Sequence, residues 1–369
     1  MTSLRKEANE IPTFSPKYLK KTCYHIFRAY GASEEEAMTV ASHLVGANLA
    51  GHDSHGVIQV PVYIERIRKG QIVPGAPFEV EHETPTTARI NGNWGFGFVV
   101  TEKAMRLAIE KAKKHNVAAI TVHYQSHIGR LADYSLMAAE EGMIGLITAD
   151  SGAGKKSVVP FNGREVRLGT NPISIAVPSN EKAPVFLDMA TSVVAAGKVG
   201  VARARNKKIP EGWILDAEGN PSTDPFDLPR GGGILPLGGD QGHKGFGLSF
   251  MVEMFSGILT GIGYGTDPDA FEARHGVEHR HNDGCFIAVF NVEAFRPLEE
   301  FKKEVSGFAE FGKTSPPSGD VGVQHPGEPE YRNAEKFKEE GIYIGDETWS
   351  RIEAIISEKE LSDTIWEPN

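Results

Sequence analysis

Residues 98–148 alternate between two periodicities. Stretches 98–113 and 131–141 carry apolar side chains at helical spacing, whereas 117–122 and 143–148 are short apolar or β-branched runs. A helix between two such runs sets consecutive strands into at least partly parallel pairing, which confines this part of the chain to an α/β sheet. Strand-like runs at 173–177, 184–187 and 285–292 and a helix-like run at 192–203 extend the pattern. By composition 245–259 is a buried helix, too short and too interrupted by Glu253 and glycines to span a bilayer. The intervening 210–242 is rich in Gly, Pro and Asp, and a connection of that length inside a compact domain is usually functional.

The chain ends read differently. Ser15-Pro16 opens a helix as N-cap and first residue, with Leu19, Cys23, Ile26, Phe27 and Tyr30 on its apolar face and Gly31 as its stop. Ser33 and Glu36 form a capping box for a second helix, faced by Ala37, Val40, Ala41, Leu44, Val45 and Leu49. Tyr63, Ile64 and Ile67 add a turn or two, and Pro74-Gly75-Ala76-Pro77 is the first boundary. Helices return from about residue 297, broken by Pro316-Pro317 and again at 325–329. At 369 residues there is length for two cores. A net charge of −10 argues against nucleic-acid and anionic-membrane partners. Only two cysteines, Cys23 and Cys285, and no apolar signal segment behind Met1 point to the cytoplasm.

Three polar constellations carry chemistry. Gly51-His52-Asp53-Ser54-His55-Gly56 crowds two imidazoles, a carboxylate and a hydroxyl onto the turn that ends the second helix. Such groups exchange protons near neutral pH; equally, Asp53 and Ser54 can bond their own backbone in a solvated turn. Ser126-His127-Ile128-Gly129-Arg130 lies between a strand and a helix, where open α/β sheets take ligands. Helix-start N–H groups beside Arg130 suit a phosphate or carboxylate; a simple cap with an exposed Arg is the plainer alternative. Asp188 ends a strand, after Leu168-Gly169-Thr170-Asn171-Pro172 and before Gly197-Lys198. Its carboxylate can orient an imidazole or cap a helix, and Thr191 or Ser192 can cap the helix that follows.

No Gly-x-Gly-x-x-Gly fingerprint stands between a strand and a helix. Gly92-Asn93-Trp94-Gly95-Phe96-Gly97 has the wrong order and no strong strand before it. Gly152-Ala153-Gly154-Lys155-Lys156-Ser157 imitates a phosphate loop, but Ala149 replaces its first glycine and Lys156 its Ser or Thr. A dinucleotide site here must be of another design. His43, His52 and His55 with Asp53, and His275, His279 and His281, lack ligand spacings, so no metal is expected.

Taken in order, a series of motifs from about residue 15 to 345 resembles one known family. It comprises Asp53-Ser54-His55-Gly56 with Pro61 and Tyr63, His127 with Gly129, Gly169-Thr170-Asn171-Pro172, Asp188-Met189-Ala190-Thr191-Ser192 and Gly197-Lys198. It continues with Ile209-Pro210-Glu211-Gly212-Trp213, Asp224-Pro225, Leu235-Pro236-Leu237-Gly238-Gly239, Lys244-Gly245 and Pro326-Gly327-Glu328. The family is the malate/L-lactate dehydrogenases of the second, non-Rossmann type, sulfolactate dehydrogenase-like. It includes ureidoglycolate dehydrogenase, diketogulonate reductase and piperideine-carboxylate reductase.

The resemblance implies an α/β fold with a mixed-sheet dinucleotide-binding domain (75–296) and a helical domain from both chain ends (1–74 with 297–369). It implies a homodimer with active sites near the subunit interface. The implied reaction is hydride transfer between NAD or NADP and a small 2-hydroxy or 2-keto acid such as malate or lactate. By position, His55 is the proton donor, with Ser54 and Asp188 as relay or orienting partners. Gln59, Tyr63, Thr170 and His127 fall at substrate places. His127, Gly129, Arg130, Asn171, Ser179, Asn180, His243, Lys244, Pro326, Gly327 and Glu328 fall at cofactor places.

One departure stands out. Family members commonly carry Arg four residues after the proton-donor His, and here that place is Gln59, an amide without charge. A lost charge-assisted contact costs about 2 kcal/mol or more, so Arg130 or Arg66 takes the substrate carboxylate, or the substrate differs. Around Ser179-Asn180, Lys182 would welcome a ribose 2′-phosphate and Glu181 would repel one, which tips the reading to NAD. The same acid and hydride donor would also reduce the C=N bond of a cyclic imino acid. From other classes, a metal-dependent lyase or hydrolase and a non-catalytic nucleotide-binding protein are the alternatives.

Overall fold

The computed structural model describes residues 13–150, 156–264 and 283–365. The chain divides into two compact units: a helical one built from both chain ends, up to Arg68 and again from Pro329, and an α/β one, Lys69–Glu328.

In the helical unit, α1 (Pro16–Ala29) starts where Ser15 Oγ accepts the Tyr18 N–H and buries Leu19, Cys23, Ile26 and Phe27. The next helix, α2 (Glu34–Leu49), starts in a reciprocal capping box: Glu36 N–H donates to Ser33 Oγ (3.1 Å) and Ser33 N–H to Glu36 Oε2 (2.8 Å). Glu34, Glu35 and Glu36 place negative charge at its positive end. After two short turns comes α3 (Val60–Arg68). Strand Thr13–Phe14 pairs antiparallel with Ile342–Tyr343, which ties the chain ends together. Helix Asp346–Glu358 closes the unit: Tyr30 Oη donates to Glu358 Oε1 (3.0 Å), and Arg68 donates to both Glu358 and Tyr30.

Among the described residues the α/β unit holds a seven-stranded mixed sheet. Its elements in chain order are β1 (Glu79–Glu83), β2 (Thr87–Gly95), α4 (Gly97–His115), β3 (Val117–Gln125), α5 (Ala132–Glu140) and β4 (Met143–Asp150). There follow β5 (Ile173–Val177), β6 (Val185–Met189), α6 (Ala196–Ala204), α7 (Gly242–Glu253), β7 (Asp283–Asn291) and α8 (Leu298–Lys313). The strand order is β1-β2-β3-β7-β4-β5-β6. Only β2 and β3, joined by α4, pair in parallel; the other neighbours are antiparallel. Ala104, Met105, Ala108 and Ala112 of α4 pack on Ile120, Val122, Ile287 and Val289 of the sheet. Alanines at three of those four helix positions let the α4 backbone come close to the strands.

Four sequence expectations change. The stretch 297–328 belongs to the α/β unit: Leu298 packs on Gly142, Asn180 N–H donates to Ser306 Oγ (3.0 Å), and Phe186 N–H donates to Pro326 O (3.2 Å). A strand does precede Gly97: β1 is exposed along its whole length and shows no apolar face, and β2 runs through Asn91-Gly92-Asn93, which reads as a turn. Helix 245–259 is half-buried rather than buried, ending in a widened π-type turn at Met254–Ile258. Its inward face carries Gly245, Ser249, Val252 and Ser256, and its outward face carries Leu248, Phe250, Met251, Phe255 and Leu259. Thr191 and Ser192 do not cap α6, whose N-cap is Ala195 with no side-chain bond; both hydroxyls are turned back to carbonyls of Thr170, Asn171 and Val194.

The capping box gives a direct check. Ser33→Ala is expected to cost about 1 kcal/mol of stability, within roughly 0.5–2, read as a lower urea midpoint at an unchanged slope.

Candidate active site

In the helical unit, α2 leads through Gly51 (φ +84) into two single turns, Asp53–His55 and Val57–Gln59. His55 Nδ1 and Ser54 Oγ share a hydrogen bond of 3.0 Å. Ser54 is exposed and His55 half-buried, so an imidazole reaches the surface with its ring held from one side. Gln59 Nε2 reaches back to donate to Ser54 O (2.7 Å). Beneath the turn, Asn48 Nδ2 donates to Asp53 Oδ1 (2.7 Å), and Asn48 Oδ1 accepts the Val57 N–H (2.9 Å). His52 Nε2 lies 3.6 Å from Glu330 Oε1. Tyr63 is buried in α3, with the Arg66 guanidinium 5.9 Å from its ring centre.

In the α/β unit, Phe186 of β6 gathers three of the expected segments. The Arg130 guanidinium lies 6.0 Å from its ring centre, and its own N–H donates to Pro326 O. Gly327 (φ +96) packs so close that a Cβ would stand 2.7 Å from the ring and 2.1 Å from Pro184 O. The β5–β6 turn holding Ser179 and Asn180 ends at that Pro184, and Ser179 Oγ accepts the Glu181 N–H at 3.3 Å. Gly129 (φ +68) lies over Phe98, whose ring a Cβ would meet at 2.3 Å. His127 is half-buried between them in sequence. Glu328 closes its own turn, its Oε2 accepting from His325 N–H (3.4 Å) and pairing with Lys313 (3.4 Å).

Asp188, two residues along β6, accepts the Ala132 N–H through Oδ2 at 2.8 Å. The carboxylate thus takes the first N–H of α5, and Arg130 is held by Asp133 through Nε at 2.9 Å. Of the two uses open to the 126–130 loop, the helix-start N–H and the guanidinium are both engaged within the protein. Further on, Thr191 N–H donates to Thr170 O (2.9 Å) and Leu237 N–H to Thr191 O (2.9 Å). This second cluster runs into the first turn of α7, where no side chain caps the helix and His243 and Lys244 are exposed. His243 sits edge-on to Phe161 at 5.7 Å rather than with the Phe186 cluster. A cleft of about 820 Å³ opens beside that turn, walled by Phe161, Leu215, Leu235 and Pro236.

Residues 14–353 match the family model for malate/L-lactate dehydrogenase. The chain belongs to that family. It is 38% identical over 353 residues to an L-sulfolactate dehydrogenase of Methanothermobacter thermautotrophicus, covering 96% of this chain and 99% of that one. The crystal structure of malate dehydrogenase from Entamoeba histolytica superposes with a TM-score of 0.89 at 33% identity, covering 95% and 99% of the two chains. The Δ1-piperideine-2-carboxylate reductase of Pseudomonas syringae superposes at 0.80 and 26% identity, covering 93% and 99%. As an oxidoreductase of this family, the chain has its α/β sheet built without the glycine fingerprint. His275, His279 and His281, with residues 151–155 of the phosphate-loop imitation, lie outside the described residues.

Sequence reading missed Asn48, Phe186 and a buried ionic cluster. Asn48 left a signal: it continues the apolar stripe of α2 one turn beyond Leu44. The cluster lies at the end of β4, where Lys156 Nζ bonds Asp150 Oδ1 (2.9 Å) and lies 3.7 Å from Glu253 Oε1. Asn171 Nδ2 donates to Glu253 Oε2 (2.8 Å) and to Ser249 O (3.1 Å). Asn171 is thus wholly buried and serves α7 rather than the surface.

Burial, reinforced by the Asp150 charge, raises the Glu253 carboxyl above its ordinary value; Lys156 and the Asn171 amide offset part of this. The folded state therefore holds a proton there that the unfolded chain releases near 4.5. Its contribution is present below that value and lost as pH rises through the raised one. Glu253→Gln is expected to remove this loss, so wild type should fall behind the variant as pH climbs above 4.5, in urea melts at a series of pH values.

Proposed function

We propose that this enzyme moves hydride between a nicotinamide cofactor and a small 2-hydroxy acid of the malate or lactate kind, with His55 exchanging the proton. The carrying observation is the Ser54–His55 bond on a turn held by Asn48 and Gln59. Ser54 on Nδ1 steadies the ring from one side, and Nε2 is the nitrogen assigned to the substrate oxygen. His55 takes the hydroxyl proton in oxidation and returns it in reduction. A positioned acid–base of this kind supplies ~10²–10⁴-fold.

The residues present fit a dinucleotide. The uncapped first turn of α7 with Lys244 suits a phosphate. Gly129 and Gly327 hold turns that pack as bare backbone where any side chain would collide. Bound there, the nicotinamide would supply or accept the hydride. Glu181, bonded into the Ser179 turn, would repel a 2′-phosphate, which supports NAD over NADP. The outward apolar face of 245–259, with Phe250 50% and Leu259 56% exposed, supports a homodimer in which a second copy covers it.

The decisive assay follows NADH and NADPH oxidation across 2-keto acids and cyclic imino acids. Consumption with a 2-keto acid is the expected result; turnover of imino acids alone would move the enzyme to C=N reduction. His55→Ala is expected to lower kcat by about 10²–10⁴-fold while NADH affinity is largely kept. Wild-type turnover in that variant would remove His55 from the chemistry.

Gln59 faces the same test from the substrate side. Gln59→Arg is expected to raise kcat/KM on oxaloacetate about tenfold by restoring a charge-assisted clamp. No gain on any 2-keto acid would mean that the carboxylate is already held elsewhere.

A further inference from the structure

We propose that Asn48 is a positioning residue for His55: its carboxamide sets the angle at which the imidazole is presented. The inference rests on the proton-exchange reading of His55. Asn48 lies in the last turn of α2 among Ala37, Val40, Ala41, Leu44 and Val45, and is only 2% exposed. A carboxamide is a poor helix former and must be bonded when buried, whereas Leu or Ala would pack there without either cost. Both ends of the group are spent on one object. Nδ2 holds the Asp53 carboxylate and Oδ1 holds the Val57 amide, the residues two before and two after His55.

Gly56 lies flat on the same group, where a Cβ would come within 2.2 Å of Asn48 Oδ1. The five-residue segment is therefore gripped at both ends and from below, and Ser54 with His55 is what it presents outward. The backbone completes the grip: His55 N–H donates to His52 O (2.9 Å) and Gly56 N–H to Asp53 O (3.0 Å). A reacting group displaced by about 1 Å can lose ~10²-fold in rate, so this hold bears on turnover as well as on folding. Among the described residues, charged and titratable groups at the carboxamide and its loop include Asp53, His52 and His55 on the loop itself, and Glu330 beside His52.

The test compares Asn48→Ala, Asn48→Asp, His55→Gln and Ser33→Ala. Each is assayed with NADH and the best 2-keto acid of the panel, for kcat, NADH affinity by fluorescence titration, and melting temperature. Asn48→Ala should lose about tenfold to a hundredfold in kcat with NADH affinity within about twofold. Ser33→Ala, which weakens the same helix from its far end, should keep kcat. In Asn48→Asp the acceptor for Val57 survives but the donor to Asp53 is lost, except where the two acids share a proton. Its kcat deficit should therefore shrink as pH falls, while that of Asn48→Ala does not.

A merely structural role predicts otherwise: kcat losses that follow melting temperature in Ser33→Ala and Asn48→Ala alike, and no recovery at low pH. Either result overturns the proposal. If Asn48→Ala does not fold, the pH profile of Asn48→Asp decides. Wild-type kcat in His55→Gln would sink the proton-exchange reading. Loss there with full kcat in Asn48→Ala would sink the positioning role alone.

Discussion

The α/β unit depends on a strand that arrives late. β7 lies between β3 and β4 and runs antiparallel to both, so the sheet has no centre until residues 283–291 are in place. Cys285, Ile287 and Val289 fill that centre with no exposed surface, and the strand is paired on both edges, with one irregularity between Asp283 and Cys285 on the β3 side. The Cys285 thiol is pushed up to about 12 by burial, so it packs as a small apolar group and not as a nucleophile. Thr170, Asn171, Asp188, Thr191 and the start of α7 all lie on the excursion between β4 and β7. Closing the sheet is what gives them fixed places, and their hydrogen bonds to one another then follow.

Two kinds of buried polar device operate in this chain, and the difference matters for acid–base chemistry. The helical unit uses a neutral carboxamide, Asn48, whose two dipolar ends are both satisfied on one turn. Such a clamp carries no desolvated charge and adds none beside the His55 ring. The α/β unit instead buries two carboxylates and an ammonium, Asp150, Glu253 and Lys156, and desolvation, with the Asp150 charge behind it, holds the Glu253 carboxyl above its ordinary value. Arg130 is likewise paired with a carboxylate of its own unit, Asp133. Arg66, on the helix that follows Gln59, instead sits by the Tyr63 ring.

Much of this was legible in the sequence where the signal is local. Ser15, Ser33 and Glu36 announce helix starts because capping acts within four residues, and β5 falls where its apolar run stands. The Ser54–His55 pair was visible because its partners are adjacent and glycines bracket the turn. For Asn48 only its burial was legible, from the stripe of α2; its bonds reach five and nine residues ahead and depend on a turn geometry that no periodicity encodes. Phe186 was missed for a related reason. It reads as one apolar residue in a strand, and its role as a hub for Arg130, Pro326 and Gly327 is set by tertiary packing. β1 escaped because an exposed edge strand has no apolar face to show.

The run at 245–259 carries the plainest conflict between composition and structure, and its cause is steric. Thr148 Oγ1 and Ser256 Oγ bond at 2.7 Å, and a Cβ on Gly284 would stand 2.2 Å from Ser256 O. A helix this close to β4 and β7 admits only glycine, serine and a few trim side chains on its inner face. Gly245 meets the same limit at Leu237, whose carbonyl a Cβ would approach to 2.1 Å. The large apolar residues are thereby displaced outward, and the apolar content that suggested burial ends up on the surface. Each such side chain is worth about 1.5–3 kcal/mol when covered. Five of them on one face, Leu248, Phe250, Met251, Phe255 and Leu259, are more than scattered exposure accounts for. The close packing that places Asn171 and Glu253 thus also creates this exposed apolar face.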